Sequence, residues 1–340
     1  MKFKKSLLAV AISLTSASVM AGGFKVSKDI NVAGDMSAGI YYLKNHGGNG
    51  AEAIEVTDFG LAFDTGETKT GEVGFLGVIG TRNGRTIMDS HPDGSFAWGD
   101  NVVLDFGYAT YAPVDNMTMD IGWILTTIGN EASPSIFSAN INRGFLWNSQ
   151  PAAYEGARVN YTAGGVNLSA ELNHNNGGAG NPLDWAVSAN GEAGSFSYAV
   201  TYYDGKDTVN IVDVVLNTSV SNIDVGLNVD YFMIDEAPTG TDDTAMGVGL
   251  YVTPKFGKIE LPIRFEYVSD TDTGIYSVPG GGGVDNATTI TVTPTYRVND
   301  NMYVRAEFAT VTAENEVFAD EDGKATDSQM TAAFQIGSTF

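Results

Sequence analysis

The sequence contains no cysteine, ten prolines and only three histidines among its 340 residues. Without cysteine the chain has no disulfide framework, so burial and hydrogen bonds must hold its fold together. The histidines, His46, His91 and His174, match no zinc or two-histidine spacing, and no serine or carboxylate of suitable parity lies beside them. We therefore expect no metal site, no cofactor and no catalytic site.

Lysine and arginine are also scarce, since 18 basic residues stand against 41 acidic ones and give a formal net charge of −23. This acidic balance disfavours nucleic-acid binding, so we expect no nucleic-acid partner. The chain lacks any run of about 18 apolar residues, the length that a membrane-spanning helix needs. The 41 glycines and the few prolines instead favour strands and turns.

The first 21 residues have the parts of a secretory signal peptide. Lys2, Lys4 and Lys5 make a basic start, residues 7–14 are apolar, and Ala21 ends a stretch of small residues. We expect cleavage after Ala21, which removes three lysines and changes the net charge from −23 to −26. The predicted organisation is a signal peptide over 1–21 and a single domain over 22–340.

Sixteen segments of the remaining chain alternate apolar and polar positions, the period of a strand whose two faces meet different surroundings. Each segment is close in length to the roughly 9 to 11 residues with which a tilted strand crosses a bilayer. The predicted strands are 30–43, 54–64, 72–82, 101–112, 117–127, 157–163, 166–174, 183–190, 195–204, 209–218, 223–234, 244–253, 258–269, 287–297, 302–313 and 327–340.

The connections between these segments are short and long in turn. Tight hairpin sequences occupy 113–116, 164–165, 191–194, 219–222, 254–257 and 299–301. Longer connections occupy 83–100, 270–287 and 314–326, among others. Short turns at one end and long loops at the other predict an all-β fold, a transmembrane antiparallel β-barrel of about 16 strands with periplasmic turns and outer loops.

The two faces of each predicted strand differ in polarity, because residues of one parity are apolar and residues of the other parity are charged or small. In 101–112, for example, Phe106 and Tyr108 share the apolar parity, while Gly107 and Tyr111 share the other. A soluble two-sheet or autotransporter-like protein alternates in the same way. Aromatic residues near the predicted outer ends favour the membrane barrel, because rings gather at lipid–water boundaries: Tyr42, Trp123, Tyr202, Tyr231, Tyr267 and Phe308.

The signal peptide, the sixteen segments and the last strand MTAAFQIGSTF together resemble a Gram-negative outer-membrane porin of the 16-stranded general type. The stretch RGFLWNSQPAAYEGARVNY is similar to one in the OmpL-like beta-barrel porins. Its matching positions are Arg143, Gln150, Pro151, Gly156 and Arg158. The resemblance implies an assembly signal at Phe340 that the outer-membrane insertion machinery reads, and it implies a homotrimer.

The longest connection, 128–156, is predicted to fold into the lumen, as the third outer loop of general porins does. Long loops are usually functional, and this one carries apolar residues that need burial, such as Phe137 and Trp147. Ser133 and Pro134 predict a short helix over about 134–142. The alternative is a loop packed over the rim or against a neighbouring subunit. The predicted constriction residues are Glu131, Arg143, Glu155 and Arg158.

Charged residues on the polar parity are predicted to line the pore and to set ion selectivity. Arg264, Arg297 and Arg305 fall on successive strands and suggest a basic strip, although such residues also serve as cross-strand pairs that only hold the wall. The overall acidity predicts a modest cation preference. The predicted lining residues are Asp105, Asp120, Asp224, Asp230, Glu260, Arg264, Glu266, Arg297, Arg305 and Glu307.

The function predicted from these features is a water-filled porin for passive diffusion of ions and small hydrophilic solutes. Its expected partners are outer-membrane lipid and lipopolysaccharide, the insertion machinery and the permeating solutes. The alternative is a non-conducting outer-membrane barrel with a structural or surface-interaction role. Conductance in a planar bilayer separates the two.

Overall fold

A computed structural model describes residues 24–27, 30–45, 51–81, 102–131, 137–174, 182–206, 208–235, 242–271, 273–276 and 283–340. The predicted signal peptide lies outside these residues, as do His46 and His91. The described residues are almost entirely β-structure, with one short helix, α1 (Phe145–Ser149). Among them, no helix has the length and apolar character needed to cross a membrane.

The strands follow one another along the chain and pair antiparallel with their neighbours. Their bounds are β1 (Phe24–Ser27), β2 (Ile30–Lys44), β3 (Ala51–Asp64), β4 (Val73–Thr81), β5 (Val102–Val114), β6 (Met117–Leu125), β7 (Ala153–Ala163), β8 (Val166–Asn173), β9 (Asp184–Ala193), β10 (Phe196–Gly205), β11 (Val209–Val220), β12 (Ile223–Ile234), β13 (Thr244–Phe256), β14 (Ile259–Glu260), β15 (Ile263–Ser269), β16 (Asn286–Val292), β17 (Thr295–Asn299), β18 (Met302–Ala313), β19 (Phe318–Ala319), β20 (Ala325–Thr326) and β21 (Ser328–Thr339).

Within the described residues, these segments make a barrel of sixteen strands, as predicted. β14 with β15 and β16 with β17 each form one strand that is interrupted near a proline, Pro262 or Pro294. Proline has no N–H to donate to a ladder, so a break at these positions is expected. β1 pairs antiparallel with the first residues of β2, and β19 and β20 pair with each other in a separate two-stranded sheet. Predicted and observed strand ends differ by at most four residues.

The barrel closes where β21 pairs with β2, from Asp35 opposite Thr339 to Lys44 opposite Met330. Phe340 continues this pairing, because its N–H donates to the Gly34 carbonyl at 2.9 Å and the Gly34 N–H donates to the Phe340 carbonyl at 3.2 Å. The described wall therefore presents no unpaired edge between its first and last strands, which is what a bilayer requires.

Short turns gather at one end of the barrel, the turn end, and the long connections leave from the other, the loop end. The hairpin between β5 and β6 needs a left-handed residue at Asn116, and the one between β7 and β8 has left-handed Gly164 and Gly165. Asparagine and glycine tolerate this conformation best, which explains why they stand at these tips.

The outer face is apolar, as the alternation predicted. In β21, Phe334 and Ile336 are exposed, whereas Gln335 between them is fully buried inside. Exposed aromatic rings occur on the outer face near both ends of the barrel, the arrangement that suits two lipid–water boundaries. They are Tyr231, Tyr267 and Phe308 toward the loop end, and Phe75, Tyr161, Phe196, Phe256 and Tyr296 toward the turn end.

A bulge in β5 overturns the predicted faces of that strand. The register with β4 shifts between Val78 and Ile79, and Asp105 is the extra residue. Phe106 is therefore buried inside against Val78, and Tyr111 is exposed outside. The prediction had these two residues reversed, because a strict period of two cannot register a residue that pairs with nothing.

Apolar side chains fill the interior of the barrel at its loop end. Phe145 and Leu146 of α1 pack there against the inward ends of several strands and against the segment near Tyr276. The wall contributes Ile124, Tyr154, Tyr203, Ile211, Phe232, Ala245 and Val268 to this cluster. The helix is thus held inside the barrel by the burial of its own apolar residues.

Candidate pore constriction

The connection between β6 and β7 lies inside the barrel and reaches strands on the far side. The Asn130 N–H donates to Asn228 of β12 at 3.2 Å. The Asn140 amide donates to Thr293 at 2.7 Å, and the Ser138 carbonyl accepts from Arg305 of β18 at 2.8 Å. We call the described residues of this connection, 126–131 and 137–152, the inner loop.

Two buried carboxylates hold the backbone of the inner loop. Glu307 accepts the N–H groups of Ile141 at 2.6 Å and Asn142 at 3.1 Å, together with the Asn142 amide at 2.7 Å. Glu266 accepts the N–H groups of Phe145 at 3.0 Å and Leu146 at 3.1 Å, which open α1. A carboxylate at the first turn satisfies N–H groups that have no partner within the helix.

These contacts explain why the helix is not where the sequence predicted it. Of the predicted helix 134–142, residues 134–136 lie outside the described part, and residues 137–142 are not α-helical. The N–H groups of Ile141 and Asn142 are already bound by Glu307 and are therefore unavailable to a helix. Gly144 is extended, and α1 begins only after it.

Arg264 is the central cation under the inner loop. Its guanidinium contacts Glu131 at 2.5 Å, Glu266 at 3.3 Å and the Asn142 carbonyl at 2.8 Å. Arg264 and Glu266 are fully buried, so the arginine neutralises carboxylates from both the wall and the loop. The pKa of the Glu131 carboxyl is raised, chiefly because burial disfavours its charged form. The Arg264 guanidinium opposes this rise, and the Glu266 carboxylate adds to it.

A second anchor is acidic and contains no arginine or lysine among its hydrogen-bond partners in the described residues. The Asn228 amide donates to Asp213 at 2.6 Å and to Asp230 at 3.0 Å, and these carboxylates face each other across β11 and β12. Gln150 of the inner loop donates to Asp230 at 2.6 Å. Asp213, Asn228 and Gln150 are absent from the predicted site. Asp213 was missed because residues 209–218 carry apolar residues on both parities, so neither face is marked as the inner one. Asn228 and Gln150 were missed because only charged residues were predicted to line the pore.

The wall opposite these anchors carries a separate ion pair. Arg158 of β7 contacts Glu171 of β8 at 2.6 Å and donates to the Leu125 carbonyl at 2.5 Å. Tyr154 donates its hydroxyl hydrogen to the same Glu171. Asp120 accepts from Thr110 and from Asn160, each at 2.7 Å. Glu171 was missed because the predicted lining charges were taken from other strands.

Two other predicted constriction residues lie apart from Arg158. Arg143 is buried within the inner loop, where its guanidinium carbon stands 4.0 Å from the centre of the Trp147 ring. Glu155 is exposed on the face of β7 opposite to Tyr154 and Arg158, so its side chain points away from the lumen. Its inclusion in the constriction was wrong, because a loop prediction that ran to residue 156 gave it no parity.

The three arginines of the predicted basic strip do not form one. Arg264 and Arg305 are buried, and Arg305 donates to Gln335 at 2.7 Å. Arg297 lies at the turn end, where 46% of its side chain is exposed and Glu260 accepts from it at 2.9 Å. Each of the three arginines therefore contacts different partners.

The remaining predicted lining residues lie near the ends of their strands. Asp224 forms an ion pair with Lys255 at the turn end. Asp105 is half-buried at the bulge of β5, and its carboxylate comes close to Gly80. Within the described residues, no group of three or more His, Cys, Asp or Glu side chains is arranged to hold a metal ion.

Solved structures with the same fold include three bacterial outer-membrane proteins. OmpT of Vibrio cholerae, folded in vitro, has a TM-score of 0.66 and 12% identity over 94% of this chain and 100% of its own. The channel DcaP of Acinetobacter baumannii has 0.65 and 14% over the same shares. OmpF of Salmonella typhi, in complex with daunomycin, has 0.61 and 14%, again over 94% and 100%.

A search of curated protein sequences finds no match. The model of the family described as "Putative beta-barrel porin-2, OmpL-like" matches residues 30–340. This match covers all sixteen strands of the barrel and the inner loop, and it confirms the resemblance read from residues 143–161. The chain therefore belongs to the OmpL-like family of beta-barrel porins.

Proposed function

We propose that this protein is an outer-membrane porin through which ions and small hydrophilic solutes diffuse passively. The observation that carries the proposal is the inner loop, which crosses the lumen and is fixed to the far wall by Glu266, Glu307 and Arg264. A loop fixed in this way narrows the barrel to a passage of defined width. A wall of sixteen strands leaves room for such a passage.

The passage prefers cations, because acids outnumber bases on the described inward face. The acids include Asp35, Asp120, Glu171, Asp184, Asp213, Asp224, Asp230, Glu260, Glu266 and Glu307, and the bases include Arg158, Lys255, Arg264, Arg297 and Arg305. A negative lumen attracts cations and repels anions, and salt screens the effect. The preference is modest because most of these charges are paired.

Planar-bilayer recording tests the proposal directly. Purified, refolded protein should give stable conductance steps in molar KCl, and a KCl gradient should give a reversal potential of the sign that favours K⁺. A sign that favours Cl⁻ would contradict the cation preference. Silence from protein shown to be folded by its heat-modifiable mobility would contradict the porin and favour a non-conducting barrel.

We further propose that the protein resides in the outer membrane after cleavage behind Ala21, and that Phe340 serves as its assembly signal. Phe340 is 44% exposed on the outer face at the turn end, where another protein can reach it. Phe340→Ala should lower the amount of protein in the outer membrane several-fold while leaving single-channel conductance unchanged. Phe334→Ala, an exposed phenylalanine of the same strand, is the control, and equal assembly of both variants would exclude the signal.

A trimer is the proposed assembly. One structure of Vibrio cholerae OmpT is described as a trimer form, and it has a TM-score of 0.60 and 11% identity with this chain. Cross-linking in membranes should therefore give a species of three subunits. A monomer alone at all cross-linker concentrations would exclude it.

A further inference from the structure

The inner loop covers one side of the lumen and leaves the other side uncovered. The exposure of one row of inward residues shows this. The row consists of cross-strand neighbours and runs from Asn160 through Ser169, Ser188 and Thr201 to Asp213. Asn160 and Ser169 are partly exposed, whereas the exposed fraction falls to 8% at Ser188 and to zero at Thr201 and Asp213. The inward face of β6 to β9 near the turn end is therefore the described wall that a permeating solute touches.

Neutral side chains predominate on that uncovered wall. Amides and hydroxyls make up six of its partly or fully exposed inward residues, which we name the neutral track: Thr118, Asn160, Thr162, Asn167, Ser169 and Asn190. Three charged residues share this face, and two of them are held by partners, because Arg158 binds Glu171 and Asp120 accepts from Thr110 and Asn160. The third, Glu192, is exposed at the turn end of β9.

Hydrogen bonds connect the track from strand to strand. Thr162 donates to Asn167 at 2.7 Å, and Asn167 donates to Asn190 at 3.1 Å. The hydroxyls of Ser169 and Ser188 are 2.6 Å apart. A primary amide has two N–H donors and a carbonyl that accepts twice, so these bonds do not use its full capacity. The track therefore presents fixed donors and acceptors to the lumen.

We propose that the neutral track is a binding site for uncharged polyhydroxyl solutes of sugar size, which rests on the proposed channel function. A hydroxyl both donates and accepts, so such a solute exchanges its hydrogen bonds with water for bonds with the track as it advances. The track itself offers a charged group no side chain of opposite charge, whereas its donors and acceptors match those of a hydroxyl. The protein thus conducts ions and also retains neutral sugars at one wall.

Sugar block of the ion current tests this proposal. Raffinose added to a wild-type channel in KCl should reduce the conductance in a saturable manner and more strongly than a polyethylene glycol of equal hydrodynamic radius. Asn167→Leu and Asn190→Leu keep the approximate volume and remove the amide. Each should raise the half-blocking sugar concentration about five-fold, the effect of losing one neutral hydrogen bond.

The controls separate this proposal from the channel itself. Ala170→Leu, on the exposed outer face of β8, should leave the sugar block as in the wild type. If Asn190→Leu fails to fold, Asn190→Ala also removes the amide and should weaken the block as well. A conducting channel that raffinose and polyethylene glycol affect equally would overturn the neutral track alone. Absence of any conductance would overturn the channel function instead.

Discussion

The polar residues of the two walls of the lumen differ in their exposure to solvent. The wall from β11 to β18 carries fully buried charges such as Arg264, Glu266 and Glu307, and the inner loop lies against it. The wall from β6 to β9 carries partly exposed amides and hydroxyls, and its charged pair, Arg158 and Glu171, is bonded within the wall. One wall holds the inner loop, and the loop leaves the other wall uncovered.

The difference teaches how a loop is fixed inside a barrel that must admit water. A buried carboxylate is stable only when charged or polar donors surround it. Glu307 finds its donors in the backbone of the loop, and Glu266 finds its donors in the first turn of α1 and in Thr289. The backbone of the loop therefore supplies hydrogen-bond donors to the wall carboxylates, and these carboxylates in turn hold the loop in place.

The largest expected effect is the release of the inner loop. In the double variant Glu266→Ala and Glu307→Ala, at least four backbone N–H contacts of the loop are lost. Single-channel conductance should rise, by up to about two-fold, because the obstruction of the lumen becomes mobile. Glu260→Ala, an acid at the turn end that does not contact the loop, is the control. Unchanged conductance in the double variant would show that the loop does not limit the current.

A large loss of stability is expected when the buried cation is removed. Arg264→Met leaves Glu131 and Glu266 without their guanidinium partner, which should lower the free energy of unfolding by about 3 to 5 kcal/mol. Arg297→Met, at an exposed pair, should lower it by less than about 1 kcal/mol. Urea unfolding in detergent, followed by tryptophan fluorescence, measures both. Equal losses would mean that the two ends of the lumen are equally solvated.

The wall could be predicted from sequence much better than the interior. Alternation and turn residues are local, so all sixteen strands were located, and the predicted barrel closes where β21 pairs with β2. The bulge at Asp105 escaped, because one extra residue shifts every later side chain without changing the composition. The strands of the wall can thus be predicted from the hydrophobic alternation and the turn residues, except where a bulge breaks the alternation.

The site depends on contacts between distant parts of the chain, and these leave no local pattern. Glu266 and Phe145 are 121 residues apart, and Glu307 and Ile141 are 166 apart. No spacing in the sequence shows that the helix begins at Phe145, where Glu266 binds its first N–H groups, rather than near Ser133. Inward charges such as Arg264 and Glu307 could be found by parity, but whether they are open to the lumen or covered by the loop could not.

A smaller effect should separate an uncovered acid from a covered one. Asp120→Asn removes a charge from the uncovered wall and should reduce the cation-to-anion permeability ratio, by less than about two-fold at moderate salt. Asp213→Asn removes a charge that is fully buried under the loop and should change the ratio much less. Reversal potentials in a KCl gradient measure both variants. A larger shift for Asp213→Asn would place the ion path on the other wall.

The smallest effect is expected at the turn end, where Glu260 and Arg297 form an exposed pair. Glu260→Gln keeps the size and a hydrogen-bond acceptor, and solvent already screens the charge that it removes. The free energy of unfolding should change by less than about 1 kcal/mol, with conductance within the spread of the wild type. A larger loss than that of Arg264→Met would reverse the comparison, because it would show that the exposed mouth, rather than the loop-covered wall, holds the barrel together.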